Sequence, residues 1–230
     1  MRIAALVPMG GHSVRVAGKN WRELAGKPLY CHILETLLRC RSVDQVVVDT
    51  DAPRIAEGVS TRFGDRVRLI ERPSHLRGGH VSMNDILLHD VTQAAADWYI
   101  MTHATNPMLR AETVERAVRA MVSSADHDSL VGVTRMSKRY WWGDGRPVNH
   151  DPSKLINTQD LAPFYEENSN LYMFTRPLIE ARGTRVGERP LLFEIDGRES
   201  VDIDDELDFE IAEFFISRTT SSAGDEPQKG

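Results

Sequence analysis

Short apolar runs alternate along this chain with amphipathic stretches, and the alternation predicts its architecture. IAALV at 3–7 reads as a buried strand. KPLYCHILETLLRC at 27–40 reads as a helix, with Leu29, Ile33, Leu34, Leu37 and Leu38 on one side. QVVVDT at 45–50, VRLIE at 67–71 and WYIMTHA at 98–104 predict further strands. Between and after them, PRIAEGVSTRF at 53–63, SMNDILLHDVTQAAA at 82–96 and AETVERAVRAMV at 111–122 predict helices, the middle one capped by Ser82. SLVGVTR at 129–135, NLYMFTR at 170–176 and LLFEI at 191–195 predict later strands. Strand and helix units of this length imply a mostly parallel sheet covered on both faces. With right-handed crossovers the fold class is α/β, a Rossmann-like, doubly wound domain.

Residues 136–167 interrupt this rhythm with Trp141, Trp142, Pro147, Pro152, Pro163 and several polar residues. They are expected to form an inserted arm or dimerisation subdomain within a domain spanning 1–218. TTSSAGDEPQKG at 219–230 has almost no apolar content and reads as a disordered tail. A formal net charge of −6 removes any broad cationic field for nucleic acid or an anionic membrane, while leaving room for a local basic pocket. Cys31 and Cys40 fit no zinc or redox spacing and read as buried thiols in a reducing compartment. The apolar run at 3–7 is too short for a signal peptide, and no segment approaches ~18 consecutive apolar residues. The expected location is the cytoplasm.

In a doubly wound sheet, ligands bind beyond the carboxyl ends of the strands. The first such end is VPMGGHSVRVAGKN at 7–20. Gly10 and Gly11 let the backbone approach a phosphate, and Ser13, Arg15, Lys19 and Asn20 add donors, a composition suited to a triphosphate. The same residues would also serve as a solvated polar turn. Neither G-x-G-x-x-G nor G-x-x-x-x-G-K-[ST] is present. In SVDIDDELDFEIAE at 200–213, Asp202 and Asp204 flank Ile203. On a strand the two carboxylates would share one face, as a magnesium site needs. They would equally serve as acidic caps on a helix starting near Glu206, a role open to Asp205 or Asp208. THATNP at 102–107 brings His103, Thr105 and Asn106 to the same rim. His75, His80 and His89 form no zinc motif, and G-x-S-x-G is absent.

Five segments taken in order carry a more specific signal: KN at 19–20, LAGKPL at 24–29, RPSHL at 72–76, QDLAPFYEENSNLY at 159–172 and DIDDELDFEIAE at 202–213. Together they resemble the acylneuraminate and ketodeoxyoctulosonate cytidylyltransferases from about residue 3 to 216. The resemblance implies a nucleotidyltransferase that moves CMP from CTP to the anomeric hydroxyl of an acidic, sialic-acid-like 2-keto sugar and releases pyrophosphate. It implies nucleotide contacts at Met9, Gly10, Gly11, Ser13, Lys19, Asn20, Arg72 and Ser82, with Arg72 near the cytosine. Asp202 and Asp204 would bind Mg2+ and, with Lys19 and Arg15, carry the catalysis. The acceptor would meet His103, Thr105, Asn106, Gln159, Tyr165 and Asn168. The arm would form a homodimer.

The chain departs from the family pattern in several places. Gly10 and Val14 stand where the family usually has Arg and Lys, and Arg15 is the candidate to compensate. THATNP replaces Gln-Pro-Thr-Ser-Pro, and Thr158 replaces an Arg on the sugar side. Two alternatives accordingly stay open: a transferase with another NTP or a secondary-metabolism acceptor, and a non-catalytic nucleotide-binding homologue.

Overall fold

A computed structural model describes residues 1–11, Val16 and 18–222. The chain starts with β1 (Ile3–Met9), in which every residue is buried. Only a strand covered on both faces tolerates such a continuous apolar run. A short antiparallel hairpin follows, β2 (Glu23–Leu24) and β3 (Lys27–Pro28), turning through Ala25 and Gly26 with φ of 48° and 83°. Positive φ at both central residues is the twist that tight hairpins require. Then come α1 (Leu29–Arg39), β4 (Gln45–Thr50), α2 (Pro53–Phe63), β5 (Val67–Glu71), α3 (Met83–Gln93), β6 (Trp98–Met101) and α4 (Ala111–Val122). The last elements are β7 (Ser129–Met136), β8 (Phe164–Phe174), α5 (Arg176–Arg182), β9 (Pro190–Glu194) and α6 (Glu206–Ser222).

The main sheet has the order β5-β4-β1-β6-β8-β7-β9. β1 pairs in parallel with β4 and β6, and β4 with β5. β8 runs antiparallel to both of its neighbours, with Tyr99 opposite Phe174 and Val131 opposite Tyr172. Side-chain alternation along β1 divides the core into two layers. Ile3, Ala5, Val7 and Met9 join Leu34 and Leu37 of α1, Ile55 and Val59 of α2, and Val114 and Val118 of α4. Ala4 and Leu6 face the other way, toward Leu87 and Val91 of α3 and Ile179 of α5. The sheet is mostly parallel and covered by helices on both faces, in agreement with the periodicity.

Three local expectations are corrected. α5 lies where no helix was expected; Thr175 Oγ1 accepts from the Leu178 N–H at 3.4 Å and Pro177 occupies the first turn. β8 starts at Phe164, so 164–167 belong to the sheet, and residues 137–163 form the connection that leaves it. Its landmarks are a bridge between Trp141 and Pro147 and a 3-10 turn at Thr158–Asp160. α6 continues to Ser222, four residues into the stretch read as a tail; residues 223–230 lie outside the described residues. Once Phe209 and Ala212 are packed, adding further turns is cheap, so composition understates the length of this helix.

Candidate active site

The carboxyl ends of β1 and β4 lie side by side, and the residues that follow them interlock. The Gly11 N–H donates to Asp51 Oδ1 at 2.6 Å. A Cβ at Gly11 would come within 3.0 Å of Ala52 Cβ, so glycine permits this approach. Asn20 Nδ2 donates to the Gly10 carbonyl at 3.0 Å. Gly18, at φ 64°, turns the chain into the 3-10 turn Lys19–Trp21. Lys19 Nζ then reaches across the fold, donating to the Ile203 carbonyl at 2.7 Å and pairing with Asp204 Oδ1 at 3.3 Å. Ser13, Val14 and Arg15 lie outside the described residues. The Met9 side chain points into the core, so this residue offers a nucleotide only its backbone.

The acidic segment is held from several sides. Residues 201–204 form no strand, contrary to expectation, yet the alternation survives: Ile203 is fully buried against Leu24, Leu29, Phe209 and Ala212. The Ile203 N–H donates to the Thr105 carbonyl at 2.9 Å, and Asn106 Nδ2 donates to the Val201 carbonyl at 3.4 Å. Asn106 is itself completely buried, and it ties the rim to the acidic segment. Glu199, also buried, accepts from the Arg110 N–H at 2.9 Å, from the Arg110 guanidinium and from Thr113 Oγ1 at 3.0 Å. Its carbonyl accepts from Asn170 Nδ2 at 2.6 Å.

This scaffold presents two carboxylates in different states. Asp202 Oδ1 is buried without a hydrogen-bond partner. Desolvation, then Asp204 and Asp208, push its carboxyl above the usual range against a lowering bond from Thr105. Asp204 faces Lys19. Asp208 Oδ2 accepts from the N–H groups of Asp204 and Asp205 at 2.9 and 3.0 Å, and Asp205 Oδ1 accepts from the Asp208 N–H at 3.0 Å. Asp205 and Asp208 are thus the carboxylates that cap the helix.

Around this centre the other expected residues divide. His103 lies close enough to Lys19, Asp204 and Arg185 to feel their charges. Desolvation first, then Arg185 and Lys19, lower its imidazole to about 4, so it is neutral at physiological pH. Ser82 Oγ accepts from the Asp85 N–H at 3.2 Å and caps α3. Arg72 is buried, and its Nε is taken by Asp49 Oδ1. Beneath that pair lies the buried Asp90, raised to about 8 by desolvation and by Asp49. Asn168 is occupied with Thr134 Oγ1 at 3.1 Å and the Asn170 N–H at 3.2 Å, and Tyr165 donates to Glu194 at 3.1 Å. Gln159 is exposed, in the 3-10 turn of the connection. Asp51, Asp90, Arg185 and Glu199 escaped the sequence reading. Asp51 had a signal, since it directly follows a strand whose end borders the glycine loop; the others depend on long-range packing.

The Cytidylyltransferase profile matches residues 4–215, almost the whole described chain. The chain belongs to the cytidylyltransferase family. Among its curated relatives, CMP-N,N'-diacetyllegionaminic acid synthase of Legionella pneumophila is 28% identical over 225 residues, covering 93% of this chain and 95% of that one. N-acylneuraminate cytidylyltransferase A of Danio rerio is 27% identical, covering 98% of this chain and 53% of that protein. Among solved structures, a CMP:2-keto-3-deoxy-manno-octonic acid synthetase complexed with CTP superposes with a TM-score of 0.70 at 19% identity. That match covers 95% of this chain and 100% of the other, and it establishes the shared fold. As a cytidylyltransferase, the chain is a nucleotidyltransferase.

Two predictions test how this scaffold is held. Glu199→Ala removes several bonds to a charged acceptor at once. It should lower stability by about 2–3 kcal/mol, read as a Tm roughly 5–10 °C lower in a domain of this size. For Asp90, the folded group keeps its proton up to about 8, whereas the unfolded group releases it near 4. The native state therefore binds the extra proton between these values, and stability falls as pH rises through that window. Asp90→Asn should flatten the decline in Tm between pH 5 and 8; an unchanged slope would show that Asp90 does not carry it.

Proposed function

We propose that this cytidylyltransferase joins CMP from CTP to the anomeric hydroxyl of an acidic 2-keto sugar and releases pyrophosphate. The observation that carries the reading is the meeting of Lys19 with the Asp202–Asp204 segment at the carboxyl ends of the strands. It places a cation from the glycine loop beside two carboxylates that do not serve as helix caps. The curated relatives are named for diacetyllegionaminic acid and N-acylneuraminate, both of the acidic sugar class.

Mg2+ fits the residues present. Asp202 offers a buried oxygen with no donor, and a carboxylate strained by desolvation gains most from a cation. Among the described residues no cluster of three or more His, Cys, Asp and Glu forms a closed cage. Two carboxylates with water and phosphate oxygens completing the shell is the usual arrangement for this ion. When bound by Asp202 and Asp204, Mg2+ supplies charge neutralisation and a template for in-line displacement. Lys19 would exchange its contact with Asp204 for a phosphate oxygen. The amides of Gly10 and Gly11 would approach the phosphates, and Arg72, held in place by Asp49, would sit toward the base. Neutral His103 can donate or accept one hydrogen bond to an acceptor hydroxyl.

The connection 137–163 exposes Trp141, Trp142, Leu155 and Ile156, a content that suits the proposed homodimer. No helix among the described residues is long and apolar enough to cross a membrane, and both cysteines are free and buried, in keeping with a cytoplasmic enzyme.

Pyrophosphate release with magnesium, each of the four NTPs and a panel of 2-keto sugar acids tests the reading. CTP alone, with one or a few acids, should give product. Asp202→Asn and Asp204→Asn should each lower kcat about 10³-fold, several kcal/mol of charge stabilisation. Asp202→Asn should not lower the Tm of the metal-free protein, because it relieves a desolvated carboxylate. Release with another NTP would overturn the cytosine assignment, and CTP binding without any release would overturn the proposed reaction.

A further inference from the structure

Lys19 and Arg72 near the centre are held in ion pairs, with Asp204 and Asp49 respectively, whereas Arg185, just beyond α5, is in none among the described residues. Its guanidinium lies 4.0 Å from the centroid of the Tyr172 ring, stacked as a planar cation prefers. The Tyr172 hydroxyl is in turn held by Glu167. The Arg185 backbone N–H donates to Asn84 Oδ1 at 3.3 Å, with a longer contact of 3.5 Å from Nη1 to the same oxygen. Nε is buried and has no partner. Burying a guanidinium donor unsatisfied costs free energy, and the stacking keeps the fork from turning away to find water.

The position of this group matters as much as its state. Asn84 lies in the first turn of α3, and Tyr172 pairs with Met101 at the carboxyl end of β6. Two residues beyond Met101 is His103, which feels the charge of Arg185 more strongly than that of Lys19. Arg185 thus stands on the same rim as Lys19 and the acidic segment. A triphosphate held by Lys19 and a metal on Asp202 and Asp204 leaves this flank to the other substrate. That substrate, in the reading given above on which this inference rests, always carries a carboxylate.

We propose that Arg185 is the specificity-determining residue that receives the carboxylate of the acceptor sugar, through Nε and an adjacent Nη nitrogen. A planar fork whose buried Nε edge lacks a hydrogen-bond partner matches a carboxylate in a bidentate manner, and an amide or ester of the same sugar lacks one of the two acceptor oxygens or its charge. Tyr172 holds the plane of the fork, and Asn84 holds the backbone that carries it.

The test is steady-state pyrophosphate release by the full chain with magnesium and saturating CTP. It uses the best acid of a panel containing N-acetylneuraminic, legionaminic and ketodeoxyoctonic acids, and the C1 amide of that acid. Wild type should favour the acid over its amide by at least ~100-fold in kcat/KM, the value of about two charge-assisted bonds. Arg185→Gln should raise KM for the acid by a similar factor and bring the acid-to-amide ratio near one, with KM for CTP within threefold of wild type. An acid-to-amide ratio unchanged in R185Q, with KM for the acid within threefold, would overturn the assignment while leaving the reaction intact. If R185Q also loses CTP binding, Arg185→Lys decides. A tenfold rise in KM for the acid alone supports the fork, and wild-type behaviour overturns it. Failure of wild type with every acid of the panel overturns the acceptor class, and the role of Arg185 with it.

Discussion

A single ammonium joins the two ends of this fold. Lys19 belongs to the turn after the first strand, and Ile203 and Asp204 precede the last helix, yet Nζ meets both. A half-buried lysine between a carbonyl and a carboxylate is worth more than an exposed pair, because less water screens it. The same contact joins the proposed site, since it brings a cation of the first loop and a carboxylate of the acidic segment to one point. A neighbouring ion pair on the surface, in which Arg22 Nη1 donates to both Glu206 oxygens at 2.7 and 2.6 Å, ties the same two regions just outside.

That junction depends on a scaffold that holds the acidic segment without regular structure. A strand would satisfy its backbone through ladder bonds. Here the Thr105 carbonyl, Asn106 and Asn170 bond its backbone, and the Glu199 carboxylate anchors it to Arg110 and Thr113. Ile203 adds an apolar plug in a small core of its own with Leu24 and Leu29. The β2–β3 hairpin therefore has a purpose beyond its two-residue strands: it supplies the wall against which the acidic segment is seated.

Charge is distributed unevenly over the rim. On the side of β4 and β5, Arg72 is neutralised by Asp49 above the protonated Asp90, so its guanidinium is oriented but not free to swing. On the side of β6 and β8, Arg185 is oriented by an aromatic ring and has no described carboxylate of its own. Between the two, His103 is kept neutral by desolvation and by the cations beside it. A site built in this way needs no broad basic surface, so the net charge of −6 is compatible with the two anionic substrates of the proposed reaction.

The order of strands and helices was legible in the sequence because periodicity is local. Each apolar run of β1, β4 and β5 marks a strand buried on both faces, and each helix before the connection shows its stripe. That Lys19, Asn20 and the Asp202–Asp204 segment would gather at the carboxyl ends of the strands was legible too, because a doubly wound sheet collects its polar loops on that rim. What the sequence could not determine was which polar residues serve the substrates and which serve the fold. Asn106 and Asn168 have the right composition for ligands, yet the first bridges segments and the second braces a bulged strand pair. Glu199, Asp90 and Arg185 gain their meaning only from partners far away in sequence, at Arg110, Asp49 and Tyr172. Local pattern dictates which face of an element is buried. Desolvation and the identity of a distant neighbour decide the charge, orientation and availability of a side chain, and only the tertiary structure supplies those.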